Sequence, residues 1–330
     1  MAKKIKMKDR LVFFNGKFVQ EKNAKLSIYD SSLMFGDMVF EMTRSFNKKQ
    51  FLLEQHIDRL FTGLKILRID IKYSKKDLLK ICEKTVEKNQ DRMKKDDEHR
   101  LMIDVSRGLL GIYENIQDSK PGPNVIVADF PLRWTVQGMD VIFKNGINLV
   151  ITSQRAIPSI YMDPKIKNRS RLFYLNANIE ASLFKGKNNW ALLLDHNGFI
   201  AEGTGNNFFL VKDGKVFTPK GVDILRGISR NYIIQLCKEL KIPVYEKNIE
   251  PFDLYDADEA FVSATPFCML PVTKLNNLKI GNGARGKFYN KILNFWSEKV
   301  ECDIEKQIID WNKNKSLKKN KSITPYKFSK

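Results

Sequence analysis

Between Trp190 and Leu275, apolar strand-like runs and turn signals alternate so closely that only a β-rich packing accommodates them. "WALLLD" is followed by the turn "HNG" and then by "FIAEG". "NNFFLV" and "KVFTP" flank Asp213-Gly214, a pair that favours a tight hairpin. "EAFVSAT" and "MLPVTKL" supply two later strands. One helix interrupts the series, expected to start at Ile228 or Ser229 with Ile233, Ile234, Cys237 and Leu240 on its apolar side.

This stretch carries chemistry at three points. In "LRGISR" the backbone can turn tightly at Gly227, leaving the N–H groups of Ile228 and Ser229 at a helix start, where the dipole favours an anion. Ser229 adds a hydroxyl, although taken alone it reads as an ordinary helix cap. Glu202 ends an apolar strand against a Gly-rich turn. A carboxylate there can hold a pyridinium nitrogen protonated, whereas in isolation it reads as a strand-end acid facing water. Thr265 ends "EAFVSAT" before Pro266, either as a hydroxyl that reaches a phosphate or as a plain strand terminus. Arg59, in "HIDRL", has the fork geometry for a phosphate, yet a lone helical Arg is usually a solvated charge. Together these groups suit a flat, phosphate-bearing heterocycle. "GTGNNF" lacks the third Gly of a dinucleotide loop and runs into strand, which excludes that reading.

A chain of 330 residues divides naturally into two domains. The expected organisation is a small N-terminal domain over 1–132, a connector over 133–141, a larger domain over 142–308 and a basic tail over 309–330. In the first third, Asn15-Gly16 signals a hairpin, and strands "DMVFEMTRSF" and "QFLL" follow across "NKK". Ile57, Leu60, Phe61, Leu64 and Leu67 predict a helix from about Glu54 to Arg68. Ser74 and Asp77 predict a capped start for the next helix. "RLMIDVSRG" and "NVIVADF" are further strands, and helices are expected around 172–185 and 287–302.

The net charge of +19 is spread along the chain rather than gathered in a patch. It predicts a field that favours small anions, and no nucleic-acid partner. No run approaches the roughly 18 apolar residues of a membrane span. No apolar run follows the basic "MAKKIKMKDR", so a secretory signal is not expected. Cys82, Cys237, Cys268 and Cys302 have no metal spacing, and are expected as free thiols of a cytoplasmic protein without a metal.

Two blocks, "DSSLMFGDMVFEMTR…QFLLEQHIDRL" and "GFIAEGTGNNFFLV…TP…ILRGISR…DADEAFVSAT…PV…IGNG", resemble the class IV, fold type IV pyridoxal-phosphate enzymes. That family holds branched-chain aminotransferases, D-amino-acid transaminases and aminodeoxychorismate lyases. The resemblance runs from about 11 to 300, with the motifs in family order. It implies an α+β fold of two domains: a small α/β domain and a larger one built on a pseudo-barrel of mostly antiparallel strands. It implies pyridoxal 5′-phosphate as cofactor and a homodimer. Arg59, the amides of Ile228 and Ser229, and Thr265 would hold the phosphate. Glu202 would pair with the ring nitrogen, and Leu225 would pack on the ring. Phe40, Leu33 and Pro266 would line the substrate pocket.

Counting back from Glu180-Ala181, the resemblance puts the Schiff-base lysine at Lys167, with Lys165 two residues away as the alternative. "NRSR" departs from the small or apolar residues usual after this lysine. Arg169 and Arg171 are expected in ion pairs, as groups that lower the lysine's proton affinity, or as partners of a substrate carboxylate. "VSRG" at 105–108 resembles the D-amino-acid and lyase branch, yet "LLGIY" follows and Leu33 replaces a usual Tyr. The expected activity is transamination between an amino acid and a 2-oxo acid through the lysine. A lyase of the aminodeoxychorismate type and a non-catalytic homologue are the alternatives.

Overall fold

In the computed structural model, residues 9–113, 115, 122–313 and 328 are described. The chain divides into two compact units, Met1–Trp134 with Ile166–Ser170, and Thr135–Lys165 with Arg171–Lys330.

The first unit begins with the expected hairpin. Strands β1 (Leu11–Phe14) and β2 (Lys17–Gln20) meet across Asn15 and Gly16, with φ of 47° and 95°. Both left-handed residues match the twist of a two-residue turn. A short helix α1 (Ser31–Phe35), capped by the Asp30 carboxylate, leads into β3 (Met38–Met42). Strands β4 (Ser45–Phe46) and β5 (Lys49–Gln50) close across Asn47-Lys48. Helix α2 (Leu53–Leu67) and helix α3 (Lys75–Asn89) follow, the second with the predicted Ser74–Asp77 capping box. Strands β6 (His99–Ser106) and β7 (Asn124–Pro131) complete an antiparallel sheet of order β2-β1-β7-β6-β3.

Ile57, Leu60 and Leu64 recur at helical spacing and bury one face of α2 against Leu101, Ile103 and Val105. Leu60 is fully buried, so Leu60→Ala would cost about 2–5 kcal/mol. β3 is the edge of this sheet, and Ile166–Ser170 covers it. The Phe40 N–H donates to the Lys167 carbonyl at 2.9 Å, and Val39 bridges to Asn168. This pairing is why a five-residue stretch from the later half of the sequence clusters with the N-terminal unit.

The second unit starts with α4 (Asp140–Asn145) and β8 (Ile147–Arg155). Helix α5 (Leu172–Leu183) crosses over to β9 (Asn189–Leu194), which pairs parallel to β8. Such a parallel pair needs a long crossover. Strands β10 (Ile200–Gly203), β11 (Asn206–Lys212) and β12 (Lys215–Pro219) follow as antiparallel neighbours. Helix α6 (Ile228–Glu239) and β13 (Val244–Lys247) come next. Then come α7 (Pro251–Tyr255), β14 (Glu259–Ala264), β15 (Cys268–Leu275) and β16 (Leu278–Lys279). Helices α8 (Lys287–Lys299) and α9 (Ile304–Lys313) end the unit.

The order β10-β9-β8-β15-β14-β11 closes on itself through β10–β11. Six strands therefore form a barrel, antiparallel at four seams and parallel where β8 meets β9 and β15. Closure leaves these six without an open edge. Helix α9 was not expected: the tail was read as starting at 309, but Ile304, Ile308 and Trp311 bury one helical stripe. The rest of that tail, 314–327 and 329–330, lies outside the described residues.

Three of the four cysteines are buried, and all four are free. Among the described residues no helix is long and apolar enough to cross a membrane, and no group of His, Cys, Asp and Glu has the arrangement to hold a metal.

Candidate active site

In the second unit Glu202 gathers three donors, of which only Leu225 was among the residues expected at the site. Glu202 ends β10 opposite Asn207 of β11 and is 4% exposed. Its Oε1 accepts from the Tyr174 hydroxyl at 2.6 Å. Its Oε2 accepts from the Leu225 N–H at 3.0 Å and from Asn207 Nδ2 at 3.1 Å. Three donors aimed at a buried carboxyl favour its ionised form. Burial, then the Glu202 charge, pushes the Tyr174 phenol well above its ordinary range, so it stays a donor.

Asn207 ties this acid to the anion-binding loop. Its Nδ2 also donates to the Leu225 carbonyl at 2.8 Å. A Cβ added at Gly227 would lie 2.0 Å from Asn207 Oδ1, so only Gly fits there. Gly227 is the N-cap of α6, and no side chain caps that helix. Ser229 is thus the second helical residue rather than the cap. Ile228 and Ser229 are each 6% exposed at a helix start with positive dipole. Thr265 and Pro266 sit half-buried in the turn after β14.

In the first unit, β3 presents Phe40 and Glu41 to opposite sides. Phe40 is 4% exposed, with the Lys167 Nζ 5.1 Å and the Arg169 guanidinium 3.7 Å from its ring centre. Arg169 donates to Asp104 at 2.9 Å, which fits the ion-pair reading of that residue. Burial raises the Asp104 carboxyl, and Arg169 offsets only part of this. Arg171 belongs to the second unit, 5.2 Å from the Tyr174 ring.

On the other side of β3, Arg59 meets Glu41 with Nε at 2.6 Å and Nη2 at 2.8 Å. The phosphate grip expected of this fork has to be qualified, because one edge of it is taken by a buried carboxylate. His56 Nδ1 lies 2.7 Å from the same carboxylate. Burial opposes charge on Glu41, but Arg59 and His56 together outweigh it and hold it far below the carboxylate range. Burial lowers His56, helped by Arg59 and Lys167, so at neutral pH it is a neutral Nδ1–H donor.

Two further residues complete the placements. Leu33 lies on α1 and is 68% exposed, so this chain alone leaves most of it uncovered. Lys165 is held by Asp163 at 2.8 Å and the Val222 carbonyl at 3.0 Å.

The sequence reading missed Tyr174, Asn207, Glu41 and His56. The last two had a signal: His56 lies three residues before Arg59, on one helix face. It also missed Arg100, 7% exposed on β6. Among the described residues its Nε and Nη1 have no hydrogen-bond partner, and its Nη2 reaches only the Met42 sulfur at 3.6 Å. Burial, then the charges of Arg44 and Arg169, lowers it to about 9.

An uncapped helix start, a Gly closely approached by the Asn207 side chain, and a buried acid that accepts from three donors fit a phosphate-bearing pyridine. With the closed six-stranded barrel in one unit and the antiparallel α/β sheet in the other, they define the fold type IV class of pyridoxal-phosphate enzymes.

The family model for amino-transferase class IV matches residues 38–275. A putative branched-chain-amino-acid aminotransferase of Methanocaldococcus jannaschii is 35% identical, over 85% of this chain and 93% of that protein. The solved branched-chain aminotransferase of Escherichia coli is 29% identical with a TM-score of 0.75, covering 88% of this chain and 94% of that one. The T.th. branched-chain amino acid aminotransferase complexed with N-(5′-phosphopyridoxyl)-L-glutamate is 26% identical with a TM-score of 0.76, covering 93% and 98%. The chain belongs to the class IV aminotransferases, a pyridoxal-phosphate-dependent family, and is an enzyme that moves amino groups from amino acids to 2-oxo acids.

Proposed function

We propose that this chain is a homodimeric, cytoplasmic branched-chain-type aminotransferase that binds pyridoxal 5′-phosphate and uses glutamate and 2-oxoglutarate as its acidic pair. The observation that carries the cofactor reading is the three-donor cage around Glu202, linked through Asn207 to the uncapped start of α6. The branched-chain reading is supported by the names of the similar proteins, and the acidic pair by the orphaned guanidinium of Arg100. A buried cation without a partner is costly unless an anion completes it.

When bound, the cofactor supplies a sink for the negative charge left on the substrate α-carbon as its proton departs. The amides of Ile228 and Ser229, Thr265 and Arg59 would hold the phosphate. Glu202, ionised, holds a proton at the ring nitrogen. Leu225 packs on the ring, while Phe40 and Pro266 line the substrate side. Lys167 would anchor the cofactor, and its Nζ would take up and return the α-proton. The homodimer is supported by large apolar side chains left uncovered in each unit, Phe35 at 63% and Leu33 in the first, Tyr161 at 80% and Leu183 at 79% in the second.

The test is a screen of L- and D-amino acids, with and without 2-oxo acids, reading the visible absorbance of the loaded protein and the 2-oxo acid formed. The proposal expects L-leucine, L-isoleucine, L-valine and L-glutamate to react and Lys167→Ala to be inert. Turnover without an oxo-acid acceptor would favour a lyase instead. A monomer on sedimentation would overturn the homodimer.

A further inference from the structure

The Glu41–His56–Arg59 cluster is more elaborate than packing requires. Glu41 is fully buried and accepts three bonds: His56 Nδ1 at 2.7 Å, Arg59 Nε at 2.6 Å and Arg59 Nη2 at 2.8 Å. His56 is 1% exposed, and the Arg59 side chain 14%. A buried ion pair is seldom the most stable way to fill such a space. Two parallel bonds to one edge of a planar guanidinium do something packing cannot: they fix its plane and axis. The opposite edge of Arg59 is then aimed in one direction, away from Glu41.

We propose that Glu41, steadied by His56, is a positioning residue that aims Arg59 at the phosphate of the cofactor. The inference rests on the reading of Arg59 as a phosphate ligand given above. His56 serves because a neutral Nδ1–H donor locks the remaining freedom of the Glu41 carboxylate. The ion pair has no net charge, so Arg59 contributes direction more than field. This gives the proposal a sign. If Glu41 only damped the positive field, Glu41→Gln would add one net positive charge and tighten phosphate binding. If it aims Arg59, the same change loosens binding, because the new amide N–H groups face the guanidinium donors.

The experiment compares dissociation constants of the apoprotein for pyridoxal 5′-phosphate and for pyridoxal, which lacks the phosphate, by absorbance or tryptophan-fluorescence titration. Their ratio is the phosphate increment, which a general loss of packing would not change. Arg59→Ala tests the underlying reading, since it should remove most of the increment. Glu41→Gln is expected to shrink the increment about tenfold, with pyridoxal affinity nearly unchanged. His56→Leu should act in the same direction. His56→Asn, whose amide nitrogen can stand in for Nδ1, should restore the wild-type value. An intact increment in Arg59→Ala would sink the reading of Arg59 itself. Loss in Arg59→Ala with an unchanged or larger increment in Glu41→Gln would overturn the positioning role alone. If Glu41→Gln does not fold, the His56 pair decides: equal increments in His56→Leu and His56→Asn overturn the proposal.

Discussion

Gly227→Ala isolates the link between Glu202 and the start of α6. The backbone at 227 has φ −64°, which any L-residue adopts, so the substitution carries no conformational strain. What it adds is one methyl 2.0 Å from Asn207 Oδ1, where real contacts do not fall below 3.0 Å. Either Asn207 or the helix start must move by about 1 Å. Asn207 is 5% exposed and is held by bonds to Leu225 and Glu202 that any rotation would break. Its bonds of 2.8 Å to the Leu225 carbonyl and 3.1 Å to Glu202 would then pass the hydrogen-bonding limit. One bond to a neutral acceptor and one to a carboxylate amount to roughly 2–4 kcal/mol. Felt wholly in binding, that is about 30- to 1,000-fold in cofactor affinity. Titration of apoprotein with pyridoxal 5′-phosphate, beside thermal unfolding of the same samples, measures both quantities. A variant with wild-type affinity and wild-type Tm would refute the claim that close approach of Asn207 requires Gly here.

Other outcomes follow from the same geometry. Tyr174→Phe strips the buried Glu202 Oε1 of its 2.6 Å donor, so kcat should fall about tenfold and Tm should drop as well; unchanged kcat would refute a role for that bond. Arg100→Met replaces an orphaned buried cation. Tm should rise by a few degrees, while KM for glutamate and 2-oxoglutarate rises at least about tenfold and KM for leucine stays within about threefold. Burial pushes the Asp129 carboxyl up to about 6, partly offset by His99 at 2.8 Å. The folded state thus holds that proton more tightly than the unfolded chain, and the stabilisation is lost as pH rises through about 6. Asp129→Asn cannot ionise, so its Tm should gain on wild type across that window, and parallel Tm curves would refute this.

The cofactor loop was legible because its demands are local. A Gly before a helix start and an acid at a strand end are features of neighbouring residues, whereas the absence of a side-chain cap on α6 came only from the structure. The hairpins at Asn15-Gly16 and Asp213-Gly214 and the Ser74–Asp77 box were readable for the same reason. Family order alone makes Lys167 the candidate for the Schiff-base lysine, and the structure adds that its segment covers β3. What stayed hidden were partners distant in sequence. Tyr174 lies 28 positions from Glu202, and Arg59 lies 18 from Glu41. Periodicity ranks a residue as apolar or polar, but does not say which polar residue faces which.

The sequence by itself determined most of the helices and strands, several of their turns and the motif order, since backbone propensity and short-range hydrogen bonds act over a few residues. The tertiary structure decided the closure of six strands into a barrel, the capture of 166–170 by the edge of β3, and the burial of Trp311. It also decided which charges stand paired and which, as at Arg100, have no ion-pair partner among the described residues. Those outcomes depend on contacts between segments far apart in the chain, and a linear pattern holds no record of which distant surfaces exclude water together.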